Sequence, residues 1–251
     1  MTANDDYPSS LALLPGIVDR PYQTFTTILE SPRLRWVLPA ILCIMAAIIF
    51  VVVAAPYLSE QAIQQQEIGL QQVEQQMGDM TESQREQMRQ QMATFSDPLV
   101  VGGLTLLTSI LGLLIAWATG AAILYFGLAI GGQDLRFGQI FSAYSWAWLP
   151  FCLRDLVNAG WVLVTGEIIS NPGLSYFVST GDLIADAGNP LWILTSKLDL
   201  FFLWHVVLVF FLIRAARPRG SAIWLSIIYV ILYLALRVLP GTLIAGLSFG
   251  G

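Results

Sequence analysis

The sequence predicts an all-α integral membrane protein, built as a bundle of five transmembrane helices. Of its 251 residues, 56% are hydrophobic and only 12% are charged, whereas a soluble domain carries about 25% charged residues. The apolar residues also fall into long runs, and about 20 residues of helix suffice to cross the roughly 30 Å of hydrocarbon in a bilayer. We therefore expect the lipid bilayer to be the main environment of the chain.

The order of polar and apolar stretches indicates four segments. The acidic start and the late first apolar run argue against a cleavable signal sequence, so we expect the first run to remain as an anchor. The segments are a cytoplasmic N-terminal segment (1–35), a first span (36–58), an extracytoplasmic Gln-rich hairpin (59–98) and a four-span remainder (99–251).

A short amphipathic helix is predicted in the N-terminal segment. Asp19 can cap it, and Pro21 suits its first turn. We expect it to lie in the cytoplasmic interface, either packed under the bundle or as a docking site for a cytoplasmic partner. Its apolar face consists of Val18, Tyr22, Phe25 and Leu29.

The Gln-rich segment predicts a helical hairpin on the extracytoplasmic side. Ile63, Leu70 and Met77 repeat every seven residues, as in a short coiled-coil seam. Residues 81–84 read Thr-Glu-Ser-Gln, a capping box that would open the second arm. The hairpin could be a passive spacer or a stalk that contacts a partner.

Four further spans are expected after the hairpin. The second is one long helix, because its apolar run is too long for one upright span and too short for two. Pro150 should kink the third span, and Pro240 with Gly241 should bend or fray the end of the fifth. The second to fifth spans cover residues 99–132, 139–164, 191–213 and 222–247.

Small residues recur every four positions along the second span, which allows close helix packing. Packing within the chain is the favoured interpretation, and formation of a homo-oligomer is the alternative. The residues concerned are Gly112, Ala116, Gly120, Gly127 and Gly131.

The distribution of arginines predicts the orientation. With five spans, seven arginines fall on the N-terminal side, while only Arg85 and Arg89 fall on the other. The side richer in Lys and Arg is cytoplasmic. We therefore expect an inner-membrane protein with a cytoplasmic N-terminus and an extracytoplasmic C-terminus. The seven are Arg20, Arg33, Arg35, Arg136, Arg214, Arg217 and Arg219.

Charged residues inside the predicted spans form a candidate site. Their depths place them in one layer of the outer third of the membrane, where an unpaired charge is costly. An ion-pair network is favoured, with Arg154 and Asp199 as its first pair; a ligand-binding pocket is the alternative. The layer consists of Arg154, Asp155, Lys197, Asp199 and Arg237.

Few residues support catalysis or other ligands. His205 is the single histidine, and one histidine makes no metal site. Cys43 and Cys152 lie in apolar runs and are interpreted as buried apolar residues. No cofactor or catalytic motif is found, and the lack of a basic stripe argues against a nucleic-acid partner.

Two stretches resemble the bacterial branch of the Yip family. One is Arg-Pro-Tyr-Gln-Thr-Phe-Thr-Thr-Ile-Leu-Glu-Ser-Pro at 20–32, and the other is Ala-Tyr-Ser-Trp-Ala-Trp-Leu-Pro at 143–150. The resemblance implies five spans, a cytoplasmic N-terminus and, in bacteria, an accessory role that is in some cases linked to an ABC-type export complex. The Asp-Leu-Tyr-Gly-Pro motif of the GTPase-interacting branch is absent from the sequence, so a GTPase-linked role does not carry over.

Together these features predict a non-enzymatic accessory or assembly partner of another membrane complex, such as an ABC-type exporter. A small transporter or channel that uses the charged layer is the alternative. An intramembrane enzyme is the least favoured class.

Overall fold

The computed structural model describes residues 7–31, 34–77, 83, 97–217 and 220–249, and within these the ordered elements are all helical. Short 3-10 turns lie at Leu11–Leu13 and Gly173–Phe177. The α-helices are α1 (Leu14–Asp19), α2 (Pro21–Glu30), α3 (Val37–Met77), α4 (Pro98–Ile130), α5 (Phe137–Ala147), α6 (Leu149–Thr165), α7 (Leu183–Gly188), α8 (Pro190–Thr195), α9 (Leu200–Ala216) and α10 (Ala222–Phe249).

The chain forms two compact units. The first comprises Met1–Ile44, Leu113–Arg154 and Ser170–Gly251, and the second comprises Met45–Gly112 and Asp155–Ile169. In the first unit, α9 packs against α2, α5 and α10. Its core includes the buried side chains of Trp117, Leu124, Leu208 and Leu212.

The N-terminal helices differ from the sequence prediction. Asp19 ends α1 rather than capping a helix, and α2 starts at Pro21, whose fixed φ suits a first position. Phe25 and Leu29 are buried as α2 packs on α5 and α9, whereas Val18 and Tyr22 are exposed. The predicted single face is therefore divided, and its buried half belongs to the core of the first unit.

The first apolar run continues directly into the Gln-rich segment. α3 has 41 residues and includes Pro56, and only its first part, Val37–Gln61, is strongly apolar. The first arm predicted for the hairpin is thus the end of α3 and not a separate helix. The second arm, predicted from residue 81 onward, lies almost entirely outside the described residues.

Helix α4 has 33 residues and corresponds to the predicted long helix. Among the described residues, α4 and the Val37–Gln61 part of α3 are the helices whose length and apolar composition would allow them to cross a membrane. Leu200–Ala216 and Ala222–Val238 are apolar but shorter.

Two of the predicted spans are interrupted. The third is divided at Trp148 into α5 and α6, because Pro150 lacks an N–H and its ring excludes the carbonyl of residue 146 from the helical pattern. The fourth is divided at residues 196–199 into α8 and α9. In α10 the helical backbone continues past Pro240 and Gly241 to Phe249, so the predicted fraying there is wrong.

A disulfide joins Cys43 of α3 to Cys152 of α6, within the first unit. The interpretation of the two cysteines as separate buried apolar residues is therefore incomplete. Both are buried, as expected. Each lies within an apolar run, and nothing in the runs shows which residues will face each other.

Candidate functional site

The first polar feature of the first unit is a cluster of four charged residues, Arg154, Lys197, Asp199 and Arg237, which we call the charged cluster. Arg154 lies on α6 and Arg237 on α10, while Lys197 and Asp199 lie in the turn before α9. The prediction that the last two lie inside a helical span is wrong. The turn forms there because the Asp199 carboxylate caps α9, accepting a hydrogen bond from the Phe202 N–H at 2.6 Å.

Arg154 and Asp199 form an ion pair. The distance from Arg154 Nη1 to Asp199 Oδ2 is 3.4 Å, and the two side chains are 35% and 14% exposed. The sequence predicted this pair because the two residues have similar depths along neighbouring spans. At this distance and exposure the contact is weak, since partly exposed ion pairs contribute little to stability.

Aromatic rings support the two guanidinium groups. The Arg154 guanidinium lies 4.8 Å from the centre of the Phe151 ring. That of Arg237 lies 5.6 Å from the Trp148 ring centre and 5.5 Å from that of Tyr233. Such contacts stabilise a cation through the negative face of the ring, so the rings help to orient both guanidinium groups.

Lys197 completes the cluster as a third cation. It lies in the turn between α8 and α9, outside both helices, and it is exposed. It lies two residues before Asp199, the carboxylate that pairs with Arg154. Asp155, the remaining member of the predicted layer, belongs to the second unit.

The second polar feature is a chain of hydrogen bonds around His205, which we call the buried chain. His205 Nδ1 lies 2.7 Å from the Ala147 carbonyl oxygen, and Nε2 lies 2.7 Å from the Tyr229 hydroxyl. The Tyr229 hydroxyl lies 2.6 Å from that of Tyr144. All three side chains are fully buried.

The chemistry of the partners fixes the direction of this chain. A carbonyl oxygen can only accept, so Nδ1 of His205 must carry a proton and donate it. In neutral His205, Nε2 then accepts from the Tyr229 hydroxyl, which in turn accepts from Tyr144. The sequence places His205 deep in the bundle, but its partners depend on how α5 and α10 are rotated. No pattern at Tyr144 or Tyr229 indicates them.

Two of the predicted small residues make room for other helices of the first unit. A methyl group at Gly120 would overlap the ring of Tyr144, and one at Gly127 would overlap Leu225. Gly131 lies beside the Arg217 guanidinium, and Ala116 is half-buried. Gly112, in the second unit, faces open space. Gly120 and Gly127 therefore admit side chains rather than a second helix backbone.

A further polar centre lies where Asp186 of α7 meets the loop that precedes this helix. The Asp186 carboxylate accepts hydrogen bonds from the Ser179 hydroxyl at 2.5 Å and from the Thr180 N–H and hydroxyl at 2.8 and 2.9 Å. These bonds, that of Ser179 foremost, lower the pKa of Asp186 because they favour its charged form. Each of these donors lies within seven residues of Asp186, so its role is to fix the loop.

No metal-binding group is found among the described residues. They contain no group of three or more His, Cys, Asp or Glu side chains that could hold a metal ion. His205 and the tyrosines are fully satisfied by one another and are closed off from solvent. The cations of the charged cluster are thus accessible to a ligand or a partner. The buried chain holds helices of the first unit together.

Comparison with known proteins agrees with the helical, apolar architecture. Residues 16–239 match the family model described as the Yip1 domain. No curated protein and no solved structure matches the chain. The match includes α2, both long apolar helices and every residue of the charged cluster. Because the match covers most of the sequence, the chain is a membrane protein that belongs to the Yip1 domain family.

Proposed function

We propose that this protein is a non-enzymatic, five-span protein of the bacterial inner membrane that acts as an accessory or assembly partner of another membrane complex, with an ABC-type exporter as the first candidate. The observation that carries the proposal is the polar extension of α3. Membership of the Yip1 domain family supports the membrane location.

The helix lengths support five spans. α3 and α4 exceed the length that a span needs, and α5 with α6 would cross as one helix broken at Trp148. α9 has 17 residues, which correspond to about 26 Å and so to the lower limit for a span. α10, with 28 residues, would be the fifth.

The proposed orientation puts the N-terminus in the cytoplasm and the C-terminus outside, following the distribution of arginines. We expect a cysteine introduced as Asp5→Cys to be protected from a membrane-impermeant thiol reagent and one introduced as Gly250→Cys to react. The measurement uses intact cells, with permeabilised cells as the control for total reactivity. Equal labelling of both positions would contradict an odd number of spans.

The end of α3 is a contact element in this proposal. Residues 62–77 follow the apolar part of the helix and include seven glutamines and two glutamates. They extend the helix by about 24 Å. Because the helix is continuous, this extension is a rigid arm with which the protein could contact a partner. Such a polar arm cannot enter hydrocarbon, and its sequence carries the seven-residue apolar repeat of Ile63, Leu70 and Met77 that a partner helix could pack against.

Deletion of the Gln-rich segment tests the contact role. We expect replacement of residues 59–96 by a short flexible linker to leave membrane insertion and thermal stability nearly unchanged, while proteins that co-purify with the full chain from native membranes are lost. Insertion is measured by carbonate extraction, and stability by thermal unfolding in detergent. A chain that no longer folds would assign the segment to the membrane fold instead.

A milder variant tests whether partner contact depends on the apolar seam or on the length of the Gln-rich segment. The triple substitution Ile63→Gln, Leu70→Gln and Met77→Gln keeps a helix-forming sequence of the same length but removes the apolar seam. We expect it to lose the same co-purifying proteins as the deletion. Retention of all of them by both variants would contradict the proposed function.

A further inference from the structure

We propose that the turn Gly173–Phe177 anchors the loop between α6 and α9 in the membrane interface, with Leu174, Tyr176 and Phe177 inserted between the lipid headgroups. The exposed fractions of these three side chains are 48%, 70% and 78%. Large apolar side chains that are exposed side by side usually mark a contact site. The inference rests on α9 as a membrane span, as proposed above, and adds a contact with lipid outside the spans.

The turn is held at the start of α9. The Leu174 N–H donates a hydrogen bond of 3.1 Å to the carbonyl oxygen of Leu198, two residues before α9 begins. Gly173 allows this close approach, because its φ is +63° and a methyl group there would lie 2.7 Å from the same oxygen. The turn also packs against α8. With α9 as a span, its end lies at the membrane surface, and the turn lies at the same level.

Hydrogen bonds on the protein side of the turn leave its apolar side chains outward. Ser175 is fully buried, and its hydroxyl donates to the Pro172 carbonyl oxygen at 2.7 Å. The Val178 N–H in turn donates to the Ser175 carbonyl oxygen at 3.1 Å. Polar groups that are already paired can enter a poorly hydrated layer at lower cost. The exposed side of the turn is therefore the apolar one.

The composition of this loop favours lipid over a protein partner. Residues 168–181 contain no Asp, Glu, Lys or Arg, and the nearest charges along the chain are those of Glu167 and Asp182. A protein contact usually has a polar rim around its apolar centre. An uncharged stretch with exposed aromatic rings is instead typical of the membrane interface, where the rings lie at the level of the headgroups.

The test places a fluorescent label on the turn in the full-length protein. The two native cysteines are bonded to each other, so one introduced cysteine can be labelled selectively. In phosphatidylcholine vesicles, we expect lipids with a nitroxide at the upper end of the acyl chain to quench a label at Phe177→Cys about threefold more than one at Ala185→Cys. Iodide on both sides of the bilayer should quench the two labels in the opposite order. Ala185 is the matched control because it is exposed on α7, in the same loop.

A third label separates the anchor from the span on which it rests. Leu203 is 59% exposed on α9, so a label at Leu203→Cys should be quenched by nitroxides deeper in the acyl chain. Iodide quenching at Phe177→Cys equal to that of the control, with Leu203→Cys in lipid, would overturn the anchor alone. Iodide quenching at both positions would overturn the span and the anchor together. A Phe177→Cys label shielded from both quenchers would identify a protein contact, including one with a second copy, and would also overturn the anchor. Thermal unfolding in detergent verifies that each variant is folded.

Discussion

The buried chain and the charged cluster both place polar side chains in the first unit, but they differ in charge and in exposure. In the buried chain, His205, Tyr229 and Tyr144 are neutral, closed off from the surroundings and joined by bonds of 2.6–2.7 Å. In the charged cluster, Arg154 and Asp199 are partly exposed and 3.4 Å apart. The difference is that hydrogen bonds within the protein satisfy the first group, whereas the charged side chains of the second remain partly exposed.

The contrast has an energetic meaning. A neutral polar group can be buried at little cost when each of its donors and acceptors is paired, but loss of one partner leaves the others unsatisfied. A partly exposed charge keeps contact with its surroundings, so loss of its partner costs less. Stability should therefore depend more on the buried chain than on the charged cluster.

The largest effect is expected for Tyr229→Phe. The substitution removes the hydroxyl that bridges His205 and Tyr144, so it leaves two buried groups without a partner. We expect the free energy of unfolding to fall by about 2–3 kcal/mol, measured by thermal or denaturant unfolding in detergent.

Tyr125→Phe is the control for Tyr229→Phe. Tyr125 is half-buried against the rings of Phe126 and Phe137. Its variant should change the stability by much less. Similar losses in both variants would contradict the special position of the buried chain.

The next effect concerns the space beside the buried chain. Gly120→Ala would force the ring of Tyr144 to move, and overpacking of this kind should lower the free energy of unfolding by about 1–2 kcal/mol even after the gain in helix propensity. Gly112→Ala on the same helix meets open space. It should instead raise stability slightly, and equal effects of the two substitutions in the same unfolding assay would reject this packing.

The smallest effect is expected for the ion pair. A double-mutant cycle with Arg154→Ala and Asp199→Asn should give a coupling energy of about 0.5 kcal/mol. Asparagine is chosen because it caps a helix as well as aspartate does, so the bond to the Phe202 N–H is retained. A coupling of several kcal/mol would mean that this pair behaves like the buried chain and that the comparison fails.

Several features followed from the sequence because they depend on local composition. The run at residues 99–132 predicts one long helix, and α4 occupies Pro98–Ile130. The all-helical class, over the described residues, and membership of the Yip family are confirmed as well. The contact between Arg154 and Asp199 could be expected because depth along antiparallel helices can be counted from the rise per residue.

Other features depend on how the helices are rotated, which a single sequence specifies poorly. Residues 195–199 read Thr-Ser-Lys-Leu-Asp, but a window as long as a span averages over this short polar stretch. The break before α9 therefore depends on recognising the capping role of Asp199. The partners of His205 come from α5 and α10, and neither helix carries a local signal for them. The predicted apolar face of the N-terminal segment is another example. Which of its residues are buried depends on the side of α2 that α9 covers, so Phe25 and Leu29 are buried while Val18 and Tyr22 are exposed.

The bond between Cys43 and Cys152 has a consequence for electrophoresis of the protein. It connects positions that are 109 residues apart and encloses the whole Gln-rich segment. A protease that cuts once within this loop therefore produces two fragments that migrate together until a reductant is added. Protease that is added from one side of a sealed vesicle and cuts in the Gln-rich segment would thus report, through the mobility shift on reduction, on which side of the bilayer that segment lies.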